Sequence, residues 1–103
     1  MKKYIKLDEK LIKSYESFCN VWGSDLQVDV AIEEMAELTQ ELIKYRRKNG
    51  SNKAELVGEL ADVFVTALQL VYIYDCEEEV NEIFNSKVKR TIKRTNDMKN
   101  KVV

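Results

Sequence analysis

Apolar residues recur along the chain at helical spacing. Leu11, Ile12, Tyr15, Phe18, Cys19 and Trp22 follow the i, i+3, i+4, i+7 rule, which predicts a first helix from near Asp8, closed by Gly23. Val28, Ala31, Ile32, Met35, Leu38, Leu42 and Tyr45 predict a second helix to about Lys48, and Ser24 with Gln27 has the spacing of a capping box at its start. "NGSN" at 49–52 reads as a turn. Asn52 with Glu55 repeats the capping arrangement and opens a third helix to about Tyr74. Asp75 with Glu78 repeats it again before a fourth helix that carries Val80, Ile83, Phe84, Val88 and Ile92 on one face. No linker, repeat or low-complexity tract interrupts this order. The expectation is an all-α four-helix bundle in a single domain spanning 1–103, antiparallel between neighbours.

Composition supports that class. The 103 residues include no Pro and three Gly, and 34% are charged, which suits long uninterrupted helices. A chain this short, 45% hydrophobic with one Trp and three Phe, has a modest core, so completion by oligomerisation is expected. Seventeen Lys and Arg against eighteen Asp and Glu leave no general attraction for DNA or RNA, so nucleic-acid polymers are not expected partners. "MKKYIKLDEK" lacks the apolar run of a signal peptide, and a cytoplasmic location is expected. "LADVFVTALQLVYIY" is broken by Asp62 and Gln69 and is shorter than the roughly 20 residues of a bilayer span, so it reads as a buried helix rather than a membrane one. Cys19 and Cys76 stand alone in a chain without His, which favours reduced core thiols over a zinc site.

The carboxylates are harder to absorb. At about 100° per residue, Glu33, Glu34, Glu37 and Glu41 share one flank of the second helix, with Glu34 nearest the apolar edge. A solvated acidic flank explains that helix by itself. The third helix, however, is apolar almost all round except for a stripe of Glu55, Glu59, Asp62, Thr66 and Gln69, so it is expected to be central. Glu59 and Asp62 then need a counter-charge, because burying like charges is costly. The i, i+3 spacing of Glu59 and Asp62 matches that of Glu34 and Glu37, and two such pairs facing each other would form an oxygen cage. Hard anionic ligands without His or Cys suit Mg²⁺ or Mn²⁺. Magnesium commonly bridges carboxylates to phosphates, which suggests a polyphosphate ligand.

"EEMAE" at 33–37 followed after 21 residues by "ELAD" at 59–62 resembles the EExxE and ExxD signature of MazG-like all-α nucleotide pyrophosphohydrolases. The resemblance covers roughly residues 18–94, including "WGSDLQ" before the first motif and a basic fourth helix after the second. It implies a fold of the all-α NTP pyrophosphatase type, assembled as a homodimer or homotetramer. The implied activity is Mg²⁺-dependent hydrolysis of a nucleoside triphosphate, NTP or dNTP, to the monophosphate and pyrophosphate, with Mn²⁺ as a substitute ion. By the same resemblance the metal ligands are Glu34, Glu37, Glu59 and Asp62, while Glu33 matches a position that orients a ligand or the attacking water. Many members carry Lys, then Asn four on and Arg seven on; Lys87 and Arg94 match and Thr91 departs.

Other readings remain open. Glu33 or Glu37 is the candidate proton acceptor. Lys87 aligns with Val80, Ile83 and Phe84, so an inward ammonium would need an anion, and phosphate contact is the expectation for Lys87 and Arg94. Lys89, Arg90 and Lys93 read as a solvated basic end that complements the helix dipole. Trp22 could stack on a nucleobase, but it continues the stripe of Tyr15 and Phe18, which favours core packing. The alternative functions are a non-catalytic nucleotide-binding regulator and a helical interaction module.

Overall fold

The computed structural model describes residues 3–101. Four helices, α1 (Glu9–Trp22), α2 (Ser24–Arg47), α3 (Lys53–Ile73) and α4 (Glu77–Lys101), account for nearly all of them, with no strand among the described residues. The all-α expectation holds, and helix bounds lie within about a turn of those predicted.

Cap chemistry departs from the sequence reading at three of the four starts. Asp8 caps α1 as expected, its carboxylate accepting from Leu11 N at 2.8 Å. At α2 the residue before the helix is Gly23, with φ 87° and no side-chain cap, so Ser24 and Gln27 form no capping box. Asn52 precedes α3 but leaves its cap unmade, because its amide turns back to α2. Asp75 lies in the left-handed region at φ 48°, and α4 starts one residue later than the predicted box allows, with Val80 N donating to Cys76 O at 2.9 Å.

The chain divides into two compact units. In residues 7–75, α2 and α3 form the main packed pair and α1 lies against both. Two successive left-handed residues, Asn49 and Gly50, turn the chain between α2 and α3. Gly50 is required there twice over, since its φ is 79° and a Cβ would meet the Tyr45 ring at 3.1 Å. Tyr15 is the large apolar anchor of this unit, almost fully buried, with its ring 6.1 Å from that of Tyr72 and its hydroxyl donating to Val65 O at 3.5 Å. Cys19 and Cys76 form no disulfide and are each half-buried.

The expectation of a central α3 is not met. Thr66 is its buried residue, whereas Val57, Leu60, Phe64 and Val65 are exposed, Phe64 by 70%. Gln69 and Glu59 of the polar stripe meet Gln27 and Glu34 of α2, Glu55 and Asp62 are exposed, and much of the apolar arc is left uncovered. By length and composition α3 could also cross a membrane, and little of that span is buried. Trp22 likewise departs from its expected core position at 63% exposure, because α1 ends there and Gly23 redirects the chain.

The second unit joins residues 3–6 to α4. Asn81 is completely buried. Its Oδ1 accepts from Tyr4 N at 3.1 Å and Ile5 N at 3.0 Å, while its Nδ2 donates to Ile5 O at 2.8 Å and Glu77 O at 3.0 Å. One side chain thus supplies the backbone partners that an extended segment would otherwise seek in a sheet. The Tyr4 ring then packs 5.1 Å from that of Phe84.

Candidate metal centre

Positions seven apart return to nearly the same face of a helix, since 3.6 residues make a turn. Gln27, Glu34 and Glu41 are so spaced on α2, as are Glu55, Asp62 and Gln69 on α3, together with Asn52, Glu59 and Thr66. Antiparallel packing brings these rows together as three polar rungs.

The outer rungs are bridged by amides. At one end Gln27, 2% exposed, donates through Nε2 to Gln69 Oε1. At the other, Asn52 Nδ2 donates to Glu41 O at 3.0 Å and to its Oε2 at 2.7 Å, and Lys44 Nζ reaches Oε1 at 3.3 Å. These donors, Asn52 first, hold the Glu41 carboxyl below its ordinary value.

The middle rung has no such donors. One carboxylate oxygen from each of Glu34, Glu59 and Asp62 lies within 4.8 Å of the others. Glu34 Oε2 and Glu59 Oε2 are buried without a hydrogen-bond partner, as are Gln27 Oε1 and Asn52 Oδ1 in the outer rungs. Burial, followed by the charges of Asp62 and Glu37, pushes Glu34 up from 4.5 to about 7. Glu59 is also raised, chiefly by burial and then by Glu37, while the hydrogen bond it shares with Glu34 works the other way. The proton of the pair therefore belongs on Glu34, from which it can be donated to Glu59. The remaining carboxylates of the group repel one another.

Of the predicted ligands, the structure brings together Glu34, Glu59 and Asp62, with Glu37 near enough to act on the first two through its charge. Glu59 is half-buried and Asp62 exposed, so the pair is less enclosed than the sequence suggested. Glu33 and Glu37 are exposed on α2. Lys87 and Arg94 lie on α4 in the other compact unit and are both exposed; Lys87 borders a groove of about 350 Å³ shared with Phe84, Val88, Thr91 and Ile92. Sequence reasoning missed the roles of Gln27 and Asn52. Their heptad relation to Glu34 and Glu59 was the available signal, and cap spacing obscured it.

The donor set fits a hard divalent cation. It supplies carboxylate oxygens only, two of them orphaned in a partly dry site, where a cation would relieve both desolvation and like-charge repulsion. No family model, characterised protein or solved structure matches the chain. The functional reading therefore rests on the residues themselves.

Proposed function

We propose that the protein is a Mg²⁺-dependent nucleoside triphosphate pyrophosphohydrolase of the MazG-like kind. The observation that carries this reading is the convergence of Glu34, Glu59 and Asp62, two of whose oxygens are buried without partners. Glu34, Glu37, Glu59 and Asp62 would hold the ion, with Mn²⁺ accepted in its place. When bound, Mg²⁺ supplies charge neutralisation for phosphate oxygens and lowers the pKa of coordinated water.

The chain's own residues do the rest. Glu33 or Glu37, exposed carboxylates one helical turn apart on α2, takes a proton from the water that attacks the α-phosphorus. The bond from that phosphorus to the oxygen bridging to the β-phosphorus breaks, releasing pyrophosphate and leaving the nucleoside monophosphate. Lys87 and Arg94 are the proposed phosphate contacts, and Trp22, free of the core, is the proposed stacking surface for the base. Assembly of copies would finish a four-helix bundle of the all-α NTP pyrophosphatase type. A cytoplasmic enzyme acting on soluble nucleotides is the corresponding proposal for location.

The test is incubation with a panel of nucleoside triphosphates and Mg²⁺, with products separated by chromatography. Monophosphate and pyrophosphate are expected, and EDTA should abolish their release. Diphosphate with orthophosphate would reject attack at the α position, and no turnover despite Mg²⁺ and nucleotide binding would favour a regulator. The remaining alternative is a non-catalytic helical interaction module. Absence of any Mg²⁺ binding would favour that reading.

A further inference from the structure

Charge is divided along α2 rather than mixed. Residues 24–43 contain six Asp and Glu and no Lys or Arg, whereas residues 44–53 contain five Lys and Arg and no Asp or Glu. A net charge near zero therefore conceals a cationic end, where α2 closes and the turn to α3 begins. A basic last turn complements the helix dipole, but that role asks only for positive charge near the final carbonyls.

The placement of Arg46 and Arg47 is more specific. They follow Ile43 by three and four residues, so at about 100° per residue they straddle it on one face of α2. Helical side chains lean back over the preceding turn, which brings both arginines toward Ile43. Ile43 is exposed, and with Arg46 and Arg47 it lines a cleft of about 300 Å³. Glu41 and Tyr45, which meet Asn52 and Gly50, lie on the opposite side of α2, so the cleft faces away from the α3 seam. The last turn is pinned, with Lys48 N donating to Lys44 O at 2.9 Å and Gly50 N to Tyr45 O at 3.1 Å. The two arginines are thus held in helical register rather than on a frayed end.

Neither guanidinium is neutralised. Lys44 is paired with Glu41 at 3.3 Å, but Arg46 and Arg47 have no ion-pair or hydrogen-bond partner among the described residues. The sequence explains why. Positions three and four away from them hold Leu42, Ile43, Lys44, Asn49, Gly50 and Ser51, so no carboxylate lies within helical reach. Two guanidinium forks over an apolar floor suit bidentate contact with phosphoryl oxygens. The cleft is at the small end of ligand sites and presents about one helical turn, roughly 5.4 Å, which one or two phosphoryl groups fill. A long polyanion is disfavoured, because Glu41 and Glu55 bound the basic stretch and the acidic flank of α2 continues beyond it.

We propose that Arg46 and Arg47, over Ile43, form a binding site for a compact phosphate-bearing anion of about the size of pyrophosphate. The site is separate from the carboxylate cluster. Arg46 lies twelve residues beyond Glu34, about 18 Å along α2, a span that a triphosphate held at the cluster does not bridge. Its test needs neither turnover nor metal, so it stands or falls apart from the pyrophosphohydrolase reading.

Isothermal titration calorimetry with inorganic pyrophosphate is carried out in EDTA, so that no divalent ion can bring phosphate to the carboxylates. At low ionic strength the full chain should bind with a Kd below about 1 mM. Arg46→Gln and Arg47→Gln should each weaken binding by at least about tenfold, the loss expected for a charge-assisted contact. Arg46→Lys and Arg47→Lys keep the charge but remove the fork, and should weaken it by a similar factor. Lys53→Gln, in the same basic stretch but outside the cleft, should change the Kd by less than about twofold. All three positions are exposed, and circular dichroism checks that each variant keeps its helix content. Absence of saturable pyrophosphate binding overturns the proposal. So does an equal loss in Lys53→Gln, or full binding in both lysine variants, since either would reduce the effect to diffuse charge. Tighter binding of a single-stranded oligonucleotide than of pyrophosphate, lost in the same arginine variants, would overturn it in favour of a nucleic-acid contact.

Discussion

The outer rungs of the α2 and α3 seam and its middle rung occupy equivalent positions, yet they are chemically opposite. Gln27 with Gln69, and Asn52 with Glu41, are each joined by an amide N–H, although Gln27 Oε1 and Asn52 Oδ1 are buried without a partner. Glu34, Glu59 and Asp62 face one another and the charge of Glu37, and the result is a Glu34 carboxyl raised to about 7. Unpartnered oxygens occur in all three rungs, and what sets the middle one apart is that its oxygens belong to carboxylates that repel one another. A half-buried group of mutually repelling carboxylates is costly to keep.

The largest effect expected from that contrast is on turnover. Glu59→Gln and Asp62→Asn should lower activity by at least about 100-fold, since even residues that merely support a metal's ligands cost about 10–100-fold when changed. In EDTA their melting temperatures should stay level or rise, because each removes a charge from a repelling group, and the stabilisation gained on adding Mg²⁺ should shrink. Full activity in both variants, or unfolding in EDTA, would make the middle rung as structural as its neighbours. Glu41→Gln, whose carboxylate is already engaged, is the control and should leave activity near wild type.

Changes to the outer rungs should do the reverse. Asn52→Ala removes two hydrogen bonds to Glu41 and should destabilise the chain by about 1–3 kcal/mol, read from denaturant midpoints, with turnover per folded molecule unchanged. Replacing Gln27 and Gln69 together by Leu should cost far less than replacing either singly, because no buried amide is then left without a partner. An activity loss in Asn52→Ala comparable to that of Glu59→Gln would erase the distinction between rungs.

A third effect is carried by pH. Glu34 has a folded value of about 7 against an ordinary 4.5, so folding favours its protonated form; that stabilisation is present below 4.5 and is lost as pH rises through 7. Glu59 acts in the same direction. Glu41, held below its ordinary value, contributes stability that disappears only in acid, so it is constant across this window. In EDTA the melting temperature should therefore fall between pH 5 and pH 8, windows taken from these shifts. Glu34→Gln should flatten the slope, and Mg²⁺ should oppose it. A slope unchanged in Glu34→Gln would place the titration elsewhere.

The smallest predicted effect concerns the outer side of α3. Gly58 lies within the helix with nothing within 4 Å of a built Cβ, so Gly58→Ala should stabilise the monomeric chain by about 0.5–1 kcal/mol. A loss of stability in the assembled protein instead would show that a neighbour packs closely there.

Much of this architecture is legible in the sequence, and the failures have identifiable causes. Helical periodicity located all four helices, and the i, i+3 spacing of Glu34 with Glu37 and Glu59 with Asp62 located the cluster. Orientation was not legible for α3, because a helix apolar nearly all round does not say which arc meets its neighbours; the polar arc does so here. Local patterns also competed with distant ones. Gln27 and Asn52 have cap spacing, but their partners are Gln69 and Glu41, which lie 42 and 11 residues away along the chain. Trp22 continues the buried stripe of Tyr15 until Gly23 diverts the chain. Periodicity cannot register where a helix outruns its support.

The Asn81 clamp has a consequence in time rather than in space. Amide hydrogens of a segment outside any helix or sheet ordinarily exchange with solvent nearly as fast as those of an unfolded peptide, yet Tyr4 N and Ile5 N are both tied to a completely buried carboxamide. Their exchange should be slow, at a rate set by the opening of α4 around Asn81. Two amides beside the first helix would then report continuously on the integrity of the last.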